Sequence, residues 1–346
     1  MEIIIFRTLI LYLIIGHYHG EGSSVCKTER KCTITRAHKM KAADCYDRQF
    51  KNFPKCLEND VEVIDLSFNR IRKVSRSDLS QFKYLKFLYL SDNMINNLDD
   101  DTFQDSEDLT TLDLSLNDLF KLPSTIFQLP SLKTLYLSQN QNMNIVDMML
   151  VLNKPILSPL VQIDLSYTTC GENISEFPNF GLLPFLIQLN ISGNQYSTMT
   201  PRDLMGFCNL QILINDNVTT GFDDACDCWK INHWLTEKKA RFSMFPCTVE
   251  KAECLYSDFK EEDLAIHDQC RQLYEDIQRQ YKIWKVSIGV GITAVVLIVL
   301  VILCCVAYKK KWLCKKKTKK SLRADAPDHL GLILNNRKSI PNEYHL

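Results

Sequence analysis

The sequence predicts a solenoid of short parallel strands, closed at both ends by cysteine clusters and followed by one apolar helix. Three observations carry that expectation. An apolar motif recurs at about 24-residue intervals across the middle of the chain. Of the 14 Cys among 346 residues, most lie before residue 271, in clusters that flank the recurring motif. The stretch 286–307 holds no charged residue.

The repeat is read from its register. Val61-x-x-Ile64-x-Leu66-x-x-Asn69-x-Ile71 is followed 24 residues on by Leu85, Leu88, Leu90, Asn93 and Ile95. Another 24 residues bring Leu109, Leu112, Leu114, Asn117 and Leu119, and 23 more bring Leu132, Leu135, Leu137 and Asn140. The consensus L-x-x-L-x-L-x-x-N is that of leucine-rich repeats. Each unit makes one short strand and a turn and cannot bury its apolar edge alone. Stacking merges the strands into a parallel sheet and the leucines into one core. The Asn amide both donates and accepts, so it can satisfy backbone groups where the chain bends inward.

Later units are less regular. Leu160, Ile163 and Leu165 form a fifth strand, with Thr168 in place of the Asn and Cys170 at an inward apolar position. The preceding stretch 144–154 reads as a short helix. Leu186, Leu189, Ile191 and Asn194 give a sixth unit, and Leu210 and Leu213 begin a seventh that is one residue out of pattern before Asn217. That irregularity is either the run-in to a cap or a bulge shaped for a ligand.

A solenoid leaves apolar ends that must be covered. Cys26, Cys32, Cys45 and Cys56 precede the first repeat, and Cys226-Asp227-Cys228-Trp229, Trp234-Leu235, Cys247, Cys254 and Cys270 follow the last. On these residues the chain resembles extracellular leucine-rich-repeat single-pass membrane proteins with cysteine-rich N- and C-terminal caps. The resemblance covers about residues 24–272. It implies an α/β leucine-rich-repeat solenoid (horseshoe) with cysteine-capped ends, plus one transmembrane helix. It also implies the pairs Cys226–Cys247 and Cys228–Cys270. The N-terminal spacing departs from the family's usual run, so the pairing of Cys26, Cys32, Cys45 and Cys56 stays open. Cys170 reads as a small core hydrophobe. Cys208 is either bridged to Cys254 or paired with another chain. Zinc bound by these cysteines with His233 and His267 is the competing reading, but an oxidising compartment favours disulfides, and no metal or other cofactor is expected.

Two apolar segments give the topology. Ile3 to Ile15, interrupted by Arg7 and followed by Gly20, Gly22 and Ser23, suits a signal-peptide core; a retained anchor is the alternative. Residues 286–307 would reach roughly 33 Å as a helix, enough for one tilted crossing. Lys309–Lys311, Lys315–Lys317, Lys319, Lys320 and Arg323 follow, which places that side in the cytoplasm. The expectation is a type I plasma-membrane protein with its N-terminus outside. Its layout is signal peptide 1–22, N-terminal cap 23–60, repeats 61–217, C-terminal cap 218–272, polar stalk 273–285, transmembrane helix 286–307 and a disordered basic tail 308–346.

The formal charge of zero hides an asymmetry. Residues 309–346 carry 11 basic and 3 acidic groups, and residues 21–284 carry 28 basic and 37 acidic. The basic run faces anionic inner-leaflet lipids, which explain it without nucleic acid. Cys304, Cys305 and Cys314 flank the inner boundary, where S-palmitoylation is expected. Ser287 with Gly291 and Gly289 with Thr293 permit close helix packing, in a homodimer or against another membrane protein; lipid exposure is the plainer explanation. Tyr344-His345-Leu346 at the end could add as a strand to a PDZ domain.

Residues between the strand leucines face the concave side. One column reads Asp65, Tyr89, Asp113, Tyr136, Asp164, Asn190, and its neighbour reads Val63, Phe87, Thr111, Thr134, Gln162, Gln188. Tyr and Phe commonly anchor interfaces, so Val63, Asp65, Phe87, Tyr89, Asp113, Tyr136 and Asp164 form the expected binding surface for a basic or mixed-polarity protein ligand. The plain alternative is that the repeat merely tolerates these residues. The next column, Ser67, Ser91, Ser115, Ser138, Ser166 and Ser192, is uniform and reads as structural. Glycosylation sequons occur at Asn173, Asn190 and Asn217. A glycan on Asn190 would push ligand contact toward the first repeats.

No nucleophile elbow, zinc-protease motif or phosphate-cradling glycine loop occurs, and Asp99-Asp100-Asp101 falls in a turn between repeats. The expected function is non-catalytic protein recognition by a receptor, co-receptor or adhesion molecule. The alternative is an auxiliary subunit of a membrane protein such as a potassium channel, since such subunits share this plan of capped repeats, one span and a short basic tail. That alternative would place the activity in the span and tail.

Overall fold

The computed structural model describes residues 32–143, 155–169, 176–254 and 259–324, with side chains in the last segment to residue 312. The leader 1–22, Cys26, the stretch 144–154, Cys170, Asn173, the Cys314 side chain and the chain from 325 onward lie outside the described residues. Two compact units divide between Asp276 and Ile277.

The first unit is built on a sheet of nine strands. It opens with β1 (Thr33–Ala37) and β2 (Met40–Asp44), an antiparallel hairpin that caps the N-terminal edge. From β2 onward the pairing is parallel, through β3 (Val63–Asp65), β4 (Phe87–Tyr89), β5 (Thr111–Asp113), β6 (Thr134–Tyr136), β7 (Gln162–Asp164) and β8 (Gln188–Asn190). A short strand β9 (Gln195–Thr198) follows, and β10 (Ile212–Ile214) then closes the main sheet against β8. The last strand, β11 (Thr219–Gly221), pairs with β9 in a second, two-stranded sheet. The central residue of each repeat strand, Ile64, Leu88, Leu112, Leu135, Ile163, Leu189 and Leu213, is buried in one continuous core. The chain is therefore the leucine-rich-repeat solenoid that the periodicity predicts.

The asparagines form a ladder. Asn93 donates from Nδ2 to Leu90 O at 3.1 Å and back to Leu66 O at 3.0 Å, and its Oδ1 accepts from Ile71 N at 3.0 Å. Asn117 repeats this with Leu114 O, Leu90 O and Ile95 N, each at 3.0 Å. Where Thr168 replaces the Asn, its shorter side chain donates to Leu165 O within its own repeat at 2.8 Å. The residue before each ladder position adopts the left-handed conformation: Phe68, Asp92, Leu116, Gln139 and Tyr167 have φ between 51° and 58°. Gly193 occupies the same place with φ 68°, and a Cβ there would lie 2.2 Å from Cε1 of Tyr167, so a larger residue would have to displace the exposed Tyr167 ring.

The seventh unit resolves as a run-in to the cap. Strand β10 pairs with β8 without a register shift, and Asn217, with φ 56°, holds the left-handed place rather than the ladder place. Beyond β10 the backbone of Arg241 bridges to the sheet, accepting from Leu213 N at 2.9 Å and donating to Gln211 O at 2.8 Å.

Short helices α1 (Arg76–Leu79) and α2 (Arg202–Met205) lie in the connections between strands. Helix α3 (Asp227–Glu237) forms the C-terminal cap, burying Cys228, Ile231, Trp234 and Leu235. Its disulfides correct the pairing implied by resemblance. Cys226 joins Cys254, Cys228 joins Cys247, and Cys208 joins Cys270; neither Cys226–Cys247 nor Cys228–Cys270 forms. Nor does Cys208 pair with Cys254. Residues two apart at a helix start point roughly 200° apart, so Cys226 and Cys228 face different segments. Asn232 grips Phe245 through both backbone groups, at 2.9 and 3.0 Å, which delivers Cys247 to the buried Cys228. At the other end Cys32 pairs with Cys45, and Cys56 is also disulfide-bonded.

Helix α4 (Glu261–Ala324) begins in the first unit, where Cys270 is fully buried, and includes residues 273–285, the segment read from sequence as a stalk. In the second unit it is long and apolar enough to cross a membrane.

Candidate ligand-binding face

The parallel register aligns the outward residues of successive strands into two columns. Asp44, Asp65, Tyr89, Asp113, Tyr136, Asp164, Asn190 and Ile214 stand side by side, and Ala42, Val63, Phe87, Thr111, Thr134, Gln162, Gln188 and Ile212 form the row beside them. The sequence-predicted site residues are thus brought together. Phe87, Tyr89, Tyr136 and the carboxylates are partly exposed; Val63 is buried and contributes packing instead.

The column has a structural duty that the sequence analysis missed. Asp65 Oδ1 accepts from Ser67 N at 3.0 Å, Asp113 Oδ1 from Ser115 N at 2.9 Å, and Asp164 Oδ1 from Ser166 N at 2.9 Å. Asn190 Oδ1 does the same for Ser192 N at 3.1 Å. These are Asx turns that end β3, β5, β7 and β8, and the recurring Asp-x-Ser triplet was their signal. A neutral amide serves the turn as well as a carboxylate, as Asn190 demonstrates. The turn therefore explains an Asp or Asn here, but it does not explain the charge.

At Asp113 that charge is costly in place. Among the described residues, no salt bridge reaches Asp44, Asp65, Asp113 or Asp164, whereas some acids on other faces of the solenoid are paired, as in Arg76–Asp105 at 2.7 Å and Lys86–Glu62 at 2.6 Å. Burial pushes the Asp113 carboxyl up; the Ser115 N–H pulls it partly back, and the charges of Asp164 and Asp65 push it further up. Burial likewise raises Tyr89 and Tyr136, with the neighbouring aspartates adding to both shifts.

The sequence reading also missed both ends of the face. The hairpin adds Asp44 to the acidic column. At the other end, Gln188, Ile212, Ile214, Arg241 and Phe242 line an open cavity of about 390 Å³. Alternation of apolar residues in 33–44 hinted at the hairpin; nothing local marked the cavity.

Of the described sequons, Asn217 is exposed at its turn, and Asn190 is half-buried with Nδ2 donating to Asp164 Oδ2 at 3.1 Å. Cys304 and Cys305 are free and exposed on α4. Among the described residues no group of His, Cys, Asp or Glu could hold a metal ion; His267 instead packs edge-on against Trp234 with ring centroids 4.7 Å apart.

Comparison with known proteins agrees with this architecture. A family model described as leucine rich repeat matches residues 88–141. Tsukushi of Gallus gallus is 30% identical over 148 residues, which are 42% of this chain and 38% of that protein. The platelet glycoprotein Ib alpha chain of Mus musculus is 28% identical over 133 residues, 38% of this chain and 17% of that one. A leucine-rich repeat and immunoglobulin-like domain-containing nogo receptor-interacting protein of Xenopus tropicalis is 26% identical over 87 residues, 25% of this chain and 14% of its own. The chain thus spans well under half the length of these curated relatives. Its described residues hold a leucine-rich-repeat solenoid with disulfide-stapled ends and, among them, one apolar helix of membrane-crossing length.

Proposed function

We propose that this chain is a single-pass type I protein of the plasma membrane whose sheet face binds a protein ligand, as a receptor, co-receptor or adhesion molecule. The observation that carries this reading is the in-register row of tyrosines and unpaired carboxylates on a partly exposed sheet face. The half-buried Asp113 charge, which no basic group offsets, is retained at a stability cost, and the Asx turn needs only an amide. Tyr and Phe supply large contact area and recur at binding hot spots. The disulfides fit an oxidising, extracellular compartment. Relatives named as a platelet glycoprotein and a nogo receptor-interacting protein lend support, since recognition at the cell surface suits a chain of this kind. The basic run after the helix would rest on anionic inner-leaflet lipids, and Asn217 is the most accessible described sequon for a glycan.

The test uses the full chain in lipid nanodiscs, fluorescently labelled and presented to intact cells. Saturable binding is expected, and a Phe87→Ala, Tyr89→Ala, Tyr136→Ala variant with an unchanged far-UV spectrum should lose most of it. Binding that persists in that variant would place recognition elsewhere. A correctly folded chain that binds no cells, but whose helix α4 captures a membrane protein, would favour the auxiliary-subunit reading.

A further inference from the structure

We propose that the ligand segment seated on this face is a cationic polypeptide in polyproline II conformation, with Lys or Arg at every third position. The proposal rests on the recognition role argued above and adds the ligand's chemistry and pitch.

The charge argument fixes the sign. Asp44, Asp65, Asp113 and Asp164 lie along one edge-to-edge column, and among the described residues no basic side chain forms a salt bridge with them. A basic ligand would relieve the repulsion among Asp65, Asp113 and Asp164 while making charge-assisted bonds to Oδ2 of Asp65 and Asp113 and to Asp164, whose Oδ2 already accepts from Asn190 Nδ2.

The pitch follows from the sheet. Neighbouring strands lie about 4.8 Å apart. Asp65, Asp113 and Asp164 stand on alternate strands, β3, β5 and β7, so a carboxylate recurs about every 9.6 Å along the sheet. A polyproline II chain rises about 3.1 Å per residue with three residues per turn, returning a side chain to the same face every 9.3 Å or about that. Across the span of all three aspartates the mismatch is only about 0.6 Å. An extended strand returns its side chains at about 6.8 Å. A helix matches best at seven-residue spacing, about 10.5 Å, and drifts by about 2 Å over the same span.

The aromatic residues fit the same pitch. Tyr89 and Tyr136 stand on the strands between the aspartates, and Phe87 lies beside Tyr89 on β4. Proline-rich segments dock on aromatic-lined grooves.

The experiment uses the full chain in phosphatidylcholine nanodiscs, which carry no net lipid charge, and three fluorescent peptides of equal lysine count. One repeats Lys-Pro-Pro, one alternates Lys with Thr, and one is an Ala-rich helix with Lys at every seventh position. The Lys-Pro-Pro peptide is expected to bind about tenfold tighter than either other peptide. The Asp65→Asn, Asp113→Asn, Asp164→Asn variant should lose about that tenfold, with its fold kept by the amide that Asn190 already uses in this role. A thermal melt reports whether the variant is folded. Equal affinity for all three peptides, or preference for the helix, overturns the polyproline II pitch. Absence of saturable binding by any of them overturns a cationic ligand. If the peptides fail while cell binding still depends on Phe87, Tyr89 and Tyr136, the recognition role stands and only this ligand chemistry falls.

Discussion

Asn117→Ala is expected to destabilise the solenoid by about 2–3 kcal/mol, because it strands one buried N–H and strips a donor from each of two buried carbonyls. The amide donates to Leu90 O and Leu114 O and accepts from Ile95 N, so one side chain serves two neighbouring repeats. Removing it leaves the buried Ile95 N–H without its partner at a residue only 6% exposed, and takes one of two donors from Leu90 O and Leu114 O, which keep Asn93 Nδ2 and Asn140 Nδ2. In a quasi-one-dimensional fold the loss falls on the interface between repeats, so unfolding should lose cooperativity as well as midpoint. Asn117→Thr should cost less, since Thr168 already keeps the bond within its own repeat. Urea unfolding of the full chain followed by far-UV circular dichroism measures both. A loss below about 1 kcal/mol for the alanine variant would mean that water satisfies the ladder.

The second large effect lies in the C-terminal cap. Replacing Cys208 and Cys270 by Ser is expected to cost about 3–4 kcal/mol, since that bridge closes the longest loop among the described disulfides, with a sequence separation of 62. It fastens the start of helix α4 to the last repeat, with Cys270 fully buried. Cys228→Ser with Cys247→Ser should cost somewhat less, because its loop spans 19 residues and Asn232 holds the same segment by hydrogen bonds. Peptide mapping without reduction should recover Cys208 linked to Cys270 and Cys228 linked to Cys247. A Cys228–Cys270 peptide would restore the pairing that family resemblance implied.

These two cases mark where sequence reasoning reaches and where it stops. The strands and the ladder were legible because the same contacts recur in every repeat, so one pattern reports them many times. The cap pairing was not, because it depends on which way Cys226 and Cys228 point from helix α3 and on the grip of Asn232 on Phe245, neither of which spacing encodes. The left-handed places were hidden for another reason. Phe68, Leu116 and Tyr167 hold them without glycine, forced there by the hydrogen bonds of their neighbours. In the candidate site, the columns were readable from alternation, whereas the Asx turns were overlooked because the aspartates had been read only as ligand groups. On the proposed function, both duties fall on the same carboxylates.

That double duty makes Asp113 the sharpest probe of the account. Its folded-state carboxyl lies above the usual 3.8, so the proton is held more tightly in the folded state. The stability it lends is complete below that usual value and is lost as pH rises through the folded value. At neutral pH the ionised group is therefore a net cost that Asn would not carry. The most direct measurement is the thermal midpoint of the Asp113→Asn chain beside its cell binding, both against the unsubstituted chain. The expected result at neutral pH is a higher midpoint together with weaker binding; the midpoints should converge as pH falls below the usual carboxylate range. A lower midpoint with undiminished binding would contradict the account, leaving the acidic column as turn chemistry alone.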